Sequence, residues 1–195
     1  MRNAPHLVLF ARYPVAGSCK TRLIPAIGAE GAADLHRRLT ERTVDVLRQS
    51  GAPVTVATTG APESAFEDWL GGGIAYAPQV EGDLTARLLP FVRRAPVIFF
   101  GADTPDLSGD HVNSAIETLA THRVTIGPAE DGGYYLIGMR DSLPQLFTDM
   151  PWSTDRVLPE TLRRLDALSI EPALLPILSD CDRPGDLAKW PALTR

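Results

Sequence analysis

Short β-branched and aromatic runs alternate with helix-length segments along most of this chain, and few folds accommodate that rhythm. Strand patterns fall at 7–11, 53–58, 73–78, 96–100 and 123–127, with helix patterns near 29–49, 62–70, 83–93 and 108–121. In the first helix Leu35, Leu39, Val46 and Leu47 recur on one face. Parallel strands need a crossover, and a strand–helix–strand unit closes right-handed. The alternation therefore predicts a three-layer α/β/α fold around a mostly parallel sheet. The last third breaks the rhythm. Residues 133–139 read as a strand directly following another, an antiparallel addition that would make the sheet mixed. Trp152-Ser153-Thr154-Asp155 should open a helix reaching about 168, with Ser153 as its cap and Asp155 facing its positive end. A strand near 170–176 and a terminal helix near 184–190 finish the chain. No linker, repeat or low-complexity stretch interrupts it, so one domain over 1–195 is expected.

A length of 195 residues suffices for one substantial core without disulfide staples. The formal charge of −5 argues against coating nucleic acid or an anionic membrane, while leaving room for a small anionic ligand. No run approaches the ~20 apolar residues of a membrane helix. The first apolar run is too short for a signal-peptide core. Cys19 and Cys181 cannot build a disulfide framework, so a cytoplasmic location is the default. The four histidines show no metal-ligand spacing.

Positive charge is unevenly placed. The first 29 residues hold Arg2, Arg12, Lys20 and Arg22 and not one carboxylate. The last three cations lie on the loop Arg12-Tyr-Pro-Val-Ala-Gly17-Ser-Cys-Lys20-Thr21-Arg22, which leaves the strand Leu7-Val8-Leu9-Phe10-Ala11. A glycine-bearing cationic loop after a strand is where an α/β sheet places phosphate. Lys20 is one of only two lysines against seventeen arginines, which suits a compact point charge. The loop is not a Walker loop, since Cys19 and Pro14 stand where glycines are required, and G-x-G-x-x-G is absent.

Three further segments bear chemistry. In Phe99-Phe100-Gly101-Ala102-Asp103-Thr104-Pro105-Asp106-Leu107 a buried strand runs into carboxylates at its C-terminal end, hard donors suited to Mg²⁺ or Mn²⁺ carrying phosphate oxygens. Asp106 reads better as a turn or cap residue, as does Ser108. In Gly127-Pro-Ala-Glu130-Asp131-Gly132-Gly133-Tyr134-Tyr135 the paired glycines allow close approach of a ligand, and Glu130 and Asp131 could bind hydroxyls, act as a base, or simply close a β-turn. In Ser179-Asp180-Cys181-Asp182-Arg183-Pro184, Asp182 either caps the terminal helix or returns a carboxylate to the metal. Arg87 reaches phosphate or merely decorates a helix, and Trp152 is a core plug or a stacking surface.

In this order the five blocks resemble a bacterial family of the nucleotide-diphospho-sugar transferase superfamily, with the GT-A, Rossmann-like fold. The resemblance spans nearly the whole chain, from Phe10-Ala-Arg-Tyr-Pro-Val-Ala-Gly and Lys20-Thr-Arg-Leu, through Gly101-x-Asp-x-Pro-Asp-Leu, Gly127-Pro-Ala-Glu-Asp-Gly-Gly-Tyr-Tyr-Leu-Ile-Gly and Pro-Trp-Ser-Thr-Asp155, to Asp180-x-Asp-x-Pro-x-Asp-Leu. That family is commonly labelled glycosyltransferase, some members being assigned to arsenosugar biosynthesis. It is also similar to the guanylyltransferase that activates 2-phospho-lactate. The resemblance implies that the first loop, with Ala11, Arg12, Gly17, Lys20 and Arg22, holds a nucleotide and its phosphates; Arg87 is the further phosphate-binding candidate. It implies that Asp103 and Asp182 bind a divalent metal, with Asp180 as an alternate to Asp182. Asp131, Gly132, Gly133, Tyr134 and Trp152 would face the sugar or acceptor. Cys19 and Cys181 replace expected apolar residues, Ala16 a frequent proline and Thr85 a frequent glycine. None of these removes a needed charge.

The expected activity is metal-dependent glycosyl transfer from a nucleotide sugar to a small acceptor, with Lys20, Asp103 and Asp131 as catalytic candidates. The alternative is nucleotidyl transfer, in which a phosphorylated acceptor attacks a nucleoside triphosphate and pyrophosphate leaves. A non-catalytic nucleotide-binding subunit is the third reading, opposed by the intact acidic set. Neither nucleic acid nor membrane insertion is expected.

Overall fold

The structure, a computed structural model, describes residues 4–194; Arg2 of the cationic N-terminal region lies outside them. Among these residues seven strands form one mixed sheet: β1 (His6–Arg12), β2 (Val54–Thr59), β3 (Ala75–Pro78), β4 (Val97–Phe100), β5 (Val124–Pro128), β6 (Tyr134–Met139) and β7 (Ala173–Leu174). Their order is β3-β2-β1-β4-β6-β5-β7. β1 pairs in parallel with both β2 and β4, and the expected antiparallel strand, β6, is inserted between β4 and β5. Among the described residues five α-helices cover the sheet: α1 (Ile24–Gln49), α2 (Glu63–Leu70), α3 (Leu84–Val92), α4 (Gly109–Thr121) and α5 (Val157–Ala167).

The two faces of β1 explain the layering. Leu7, Leu9 and Ala11 point into one core with Val44, Leu47, Phe66 and Val112 from α1, α2 and α4. Val8 points the other way, toward Leu88, Phe91 and Leu165 from α3 and α5. Burial on both faces is why this strand reads as an unbroken apolar run. A third cluster joins α1 to the C-terminal segment, where Leu187, Trp190 and Leu193 pack on Leu23, Leu35 and Leu39.

Four local expectations are corrected. α1 starts earlier, at Ile24, but breaks at Gly28 (φ 74°), so the regular helix begins close to where its periodicity does. α5 begins at Val157, not after a Ser153 cap; Ser153 takes a left-handed turn (φ 63°), and Thr154 instead accepts from the Arg156 amide at 3.3 Å. The strand near 170–176 shrinks to two residues, Ala173–Leu174, and the terminal helix is a pair of 3₁₀ turns, Pro184–Lys189 and Pro191–Thr194. Prolines at 172, 176, 184 and 191 remove the amide donors that longer elements need.

Gly127 lies under the Tyr135 ring, and a Cβ there would sit 2.3–2.7 Å from ring carbons. Tyr135 is fully packed and its hydroxyl donates to Pro176 O at 3.1 Å, so the ring has nowhere to move. Gly127→Ala is expected to lower stability by about 1–3 kcal/mol in urea unfolding; an unchanged midpoint would show that the ring yields.

Candidate functional site

β1 and β4 are parallel neighbours, and the chain leaves β1 toward β2 on one side before returning to β4 on the other. Where the direction of winding reverses, the loops part and leave a crevice beyond the strand ends. The loops after β1 and β4 therefore meet there, carrying Lys20 and Asp103. Gly17 (φ 82°) closes the turn in which Ser18 N–H donates to Val15 O at 3.0 Å. Lys20 is itself left-handed (φ 43°, ψ 46°), a conformation that costs a non-glycine residue about 1 kcal/mol.

Three bonds offset that cost. The Lys20 ammonium contacts Asp103 Oδ1 at 2.6 Å and donates to Asp182 Oδ1 at 3.0 Å and the Cys181 carbonyl at 2.8 Å. All three ammonium donors are thus engaged within the protein. The Lys20 side chain is 3% exposed, whereas Asp103 and Asp182 keep 43% and 39% of theirs open. Each carboxylate gives Oδ1 to the ammonium, and the Asp182 Oδ2 lies 4.0 Å from the Arg22 guanidinium. Cys181 N–H also donates to Asp103 O at 2.8 Å, tying the C-terminal segment to the β4 loop. Burial works against the Lys20 charge, but Asp103 and Asp182 outweigh it and raise its pKa. Burial likewise pushes Asp103 up, and the Lys20 charge beside it reverses the sign, leaving its carboxyl below the usual range.

Asp182 does not cap the terminal segment. Asp186 does that instead, accepting from the amides of Asp182 and Arg183 at 3.0 and 2.7 Å. Ser108 caps α4, while Asp106 accepts from Trp190 Nε1 at 3.0 Å. Asp180 accepts from Thr104 Oγ1 at 2.5 Å. Burial, then the charges of Asp103, Asp131 and Asp182, push Asp180 up to about 6 despite the threonine bond.

The crevice around Lys20 encloses about 340 Å³ and is lined by Arg12, Cys19, Arg22, His36, Asp103 and Asp182 among others. Arg12 is exposed, and Arg22 is 60% exposed with its guanidinium 4.0 Å from Asp182. Ala11 is buried, its carbonyl accepting from Gln79 Nε2 at 3.5 Å. Arg87 stands apart from this crevice, bonded to Gly82 O and Gln79 Oε1. Asp131 lines an adjoining hollow and accepts from Gly133 N–H at 2.9 Å. Tyr134 and Trp152 pack edge to face, and Trp152 also stacks on Phe147 and donates to Thr85 Oγ1 at 2.9 Å. They border a small apolar recess of about 150 Å³ instead of the Lys20 crevice.

His36 was not among the sequence candidates. It faces the same crevice from α1 and its Nε2 lies 2.9 Å from the Arg12 carbonyl, a contact that requires the ring nitrogen to carry the proton. Its signal was a polar residue between Leu35 and Leu39 on the buried face of the helix. Among the described residues no three His, Cys, Asp or Glu side chains are grouped so as to hold a metal ion by themselves, and no helix is long and apolar enough to cross a membrane.

The fold matches proteins of the nucleotide-diphospho-sugar transferase fold. A protein of Desulfovibrio desulfuricans G20, provisionally assigned as such a transferase, superposes with a TM-score of 0.88 at 26% identity, covering 100% of this chain and 98% of its own. The 4-diphosphocytidyl-2C-methyl-D-erythritol synthase of Anaerococcus prevotii DSM 20548 aligns with a TM-score of 0.63 at 11% identity, covering 99% of both chains. Glucosyl-3-phosphoglycerate synthase of Mycobacterium tuberculosis, in complex with Mn²⁺, UDP and phosphoglyceric acid, aligns at 0.58 and 12%, covering 99% of this chain and 75% of its own. No curated protein matches in sequence. Residues 39–154 match the bacterial family DUF2064, described as "Uncharacterized protein conserved in bacteria", and the chain belongs to that family.

The raised Asp180 has a measurable consequence. Below the ordinary carboxylate value of 3.8 the group is protonated folded and unfolded, and nothing is lost. Between there and about 6 the unfolded chain ionises first, so the folded state loses stability as pH rises, reaching a constant penalty above. Asp180→Asn keeps an acceptor for Thr104 and removes the charge. With a chelator present it should stabilise by on the order of 1–2 kcal/mol near neutral pH and by almost nothing near pH 4. An equal effect at both pH values, measured by urea unfolding, would discard the electrostatic account.

Proposed function

We propose that this chain is a divalent-metal-dependent transferase using a nucleotide-activated donor, and that it transfers a glycosyl group from a nucleotide sugar to a small acceptor. The observation that carries the reading is the Lys20 clamp. It holds Asp103 and Asp182 side by side at the switch point of the sheet, with neither Oδ2 bound to the lysine, beside the unburied cations Arg12 and Arg22, the latter 4.0 Å from Asp182 Oδ2. Two carboxylates fall short of a complete site, which suits Mg²⁺ or Mn²⁺, ions that complete their shell with substrate phosphate oxygens and water. Such an ion, when bound, would neutralise charge on a departing diphosphate.

In this reading Asp103 and Asp182 hold the ion, and Lys20 sets their separation and balances their charge. Arg12 and Arg22 contact phosphate oxygens, and His36 orients the strand end through the Arg12 carbonyl. Ala11 and Gly17 shape the nucleotide loop, with Asp131, Gly132 and Gly133 on the acceptor side. The similarity to the provisionally assigned transferase, and the fold shared with a synthase binding Mn²⁺ and UDP, support it. Nucleotidyl transfer draws less support once the geometry is considered, because Lys20, one of the three cations on which a triphosphate would rely, is already saturated by protein oxygens.

Thermal unfolding against nucleoside triphosphates, diphosphates and nucleotide sugars, with and without Mn²⁺, tests it. A nucleotide sugar at 100 times its dissociation constant should add about 2.7 kcal/mol to wild type in a metal-dependent way. Asp103→Asn should abolish that gain and lower turnover by about 100-fold or more. Selective stabilisation by one triphosphate, with pyrophosphate release, would replace glycosyl by nucleotidyl transfer. No response to any nucleotide would end the proposal.

A further inference from the structure

Past Asp182 the crevice opens into a second hollow of about 620 Å³, bordered by the β5–β6 turn and the segment before α5. Six carboxylates line it against three cations. Of the cations, Lys189 is held by Glu130 at 2.5 Å and Ser179 at 2.9 Å, Arg22 stands at the boundary with the Lys20 crevice, and Arg183 is exposed. Four carboxylates have partners: Glu130 in Lys189, Asp180 in Thr104, Asp182 in Lys20, and Asp186 in two main-chain amides. The remaining two face the hollow with no cation or hydroxyl of the described residues bound to them. Asp131 engages only Oδ1, and the Asp155 carboxylate has no hydrogen bond or ion pair among the described residues.

These two carboxylates come from segments locked to each other. Gly132 (φ 87°) lets the turn lie directly on the backbone of Asp155, where a Cβ would come within 2.4 Å of the Asp155 carbonyl oxygen. Leu158 N–H donates to Gly132 O at 2.9 Å and closes the joint. Asp155 is not occupied with the start of α5, which opens two residues later without a side-chain cap.

We propose that this hollow receives the acceptor, that the acceptor is an uncharged, hydroxyl-rich molecule such as a sugar or polyol, and that Asp155 is the residue that selects it. The inference rests on the transferase reading above. Ionised carboxylates only accept, and hydroxyls are the donors they pair with. A phosphorylated acceptor brings further negative charge beside Asp131 and Asp155. Lys189 is already paired and Arg22 stands beside Asp182, which leaves the exposed Arg183 as the lining cation without an ion pair among the described residues, against six carboxylates. Like-charge juxtaposition of that kind rejects a ligand more effectively than a lost contact does.

The test uses the full chain carrying Mn²⁺ and whichever of UDP, GDP, CDP, ADP or dTDP stabilises it most. Failure of every nucleotide to bind removes the transferase reading and this inference with it. On the loaded protein, calorimetric titrations compare glucose with glucose 6-phosphate and glycerol with glycerol 3-phosphate. Wild type should prefer the neutral member of each pair by about tenfold or more. Asp155→Lys should reduce or invert that preference by about tenfold while nucleotide affinity stays within about twofold. Asp155→Asn should narrow it severalfold and serves if the lysine variant folds poorly. Tighter binding of the phosphorylated member, equal preference in variants and wild type, or no neutral binding at millimolar concentration, would each overturn the proposal with the nucleotide site intact.

Discussion

A buried ammonium organises this molecule. Asp103, Asp180 and Asp182 crowd one end of the sheet, and without a fixed cation among them their mutual repulsion would force the loops apart. Lys20 supplies that cation from a strained backbone, with a side chain almost entirely withdrawn from water. An arginine could not do the same. Its planar fork favours two parallel bonds to one carboxylate, whereas a compact ammonium can reach two carboxylates and a carbonyl in three directions. That requirement accounts for a lysine here in a chain otherwise furnished with arginine.

The parts of the site that follow from strand ends could be read from the sequence, and the parts that follow from distant folding could not. A buried strand running into Gly101-Ala102-Asp103 announces its own exit edge, and the cationic loop after 7–11 does the same. The alternation of strands and helices placed both at one edge, and the antiparallel β6 was expected as a consequence of two adjacent strand patterns. What could not be read was that Lys20 and Asp182, 162 positions apart, share a hydrogen bond, since local chemistry allowed Asp182 to cap a turn just as well. Ser153 looked like a cap because it precedes a helical pattern, yet the tight passage over Gly132 delays the helix to Val157. His36 was hidden by an otherwise apolar helix face.

The two hollows divide the chemistry by charge. One has arginines around its mouth and carboxylates pinned by a lysine, a surface on which phosphate oxygens and a cation can be shared. The other carries six carboxylates against three cations, a surface better matched to hydroxyls. Asp182 borders both, so the proposed donor and acceptor would meet at a residue delivered by the C-terminal segment.

That delivery has a temporal side. The sheet from β1 to β6 is complete by residue 139, and its parallel core can collapse while the rest of the chain is still emerging. The carbonyl and carboxylate that saturate Lys20 arrive only with residues 181 and 182, fastened by Trp190 and Leu193 against α1. Until then the lysine has only Asp103 as its ion-pair partner. The clamp is therefore completed only after the strands that carry Lys20 and Asp103 have been made, and detachment of the 3₁₀ turns at 184–194 would undo it while leaving the sheet standing.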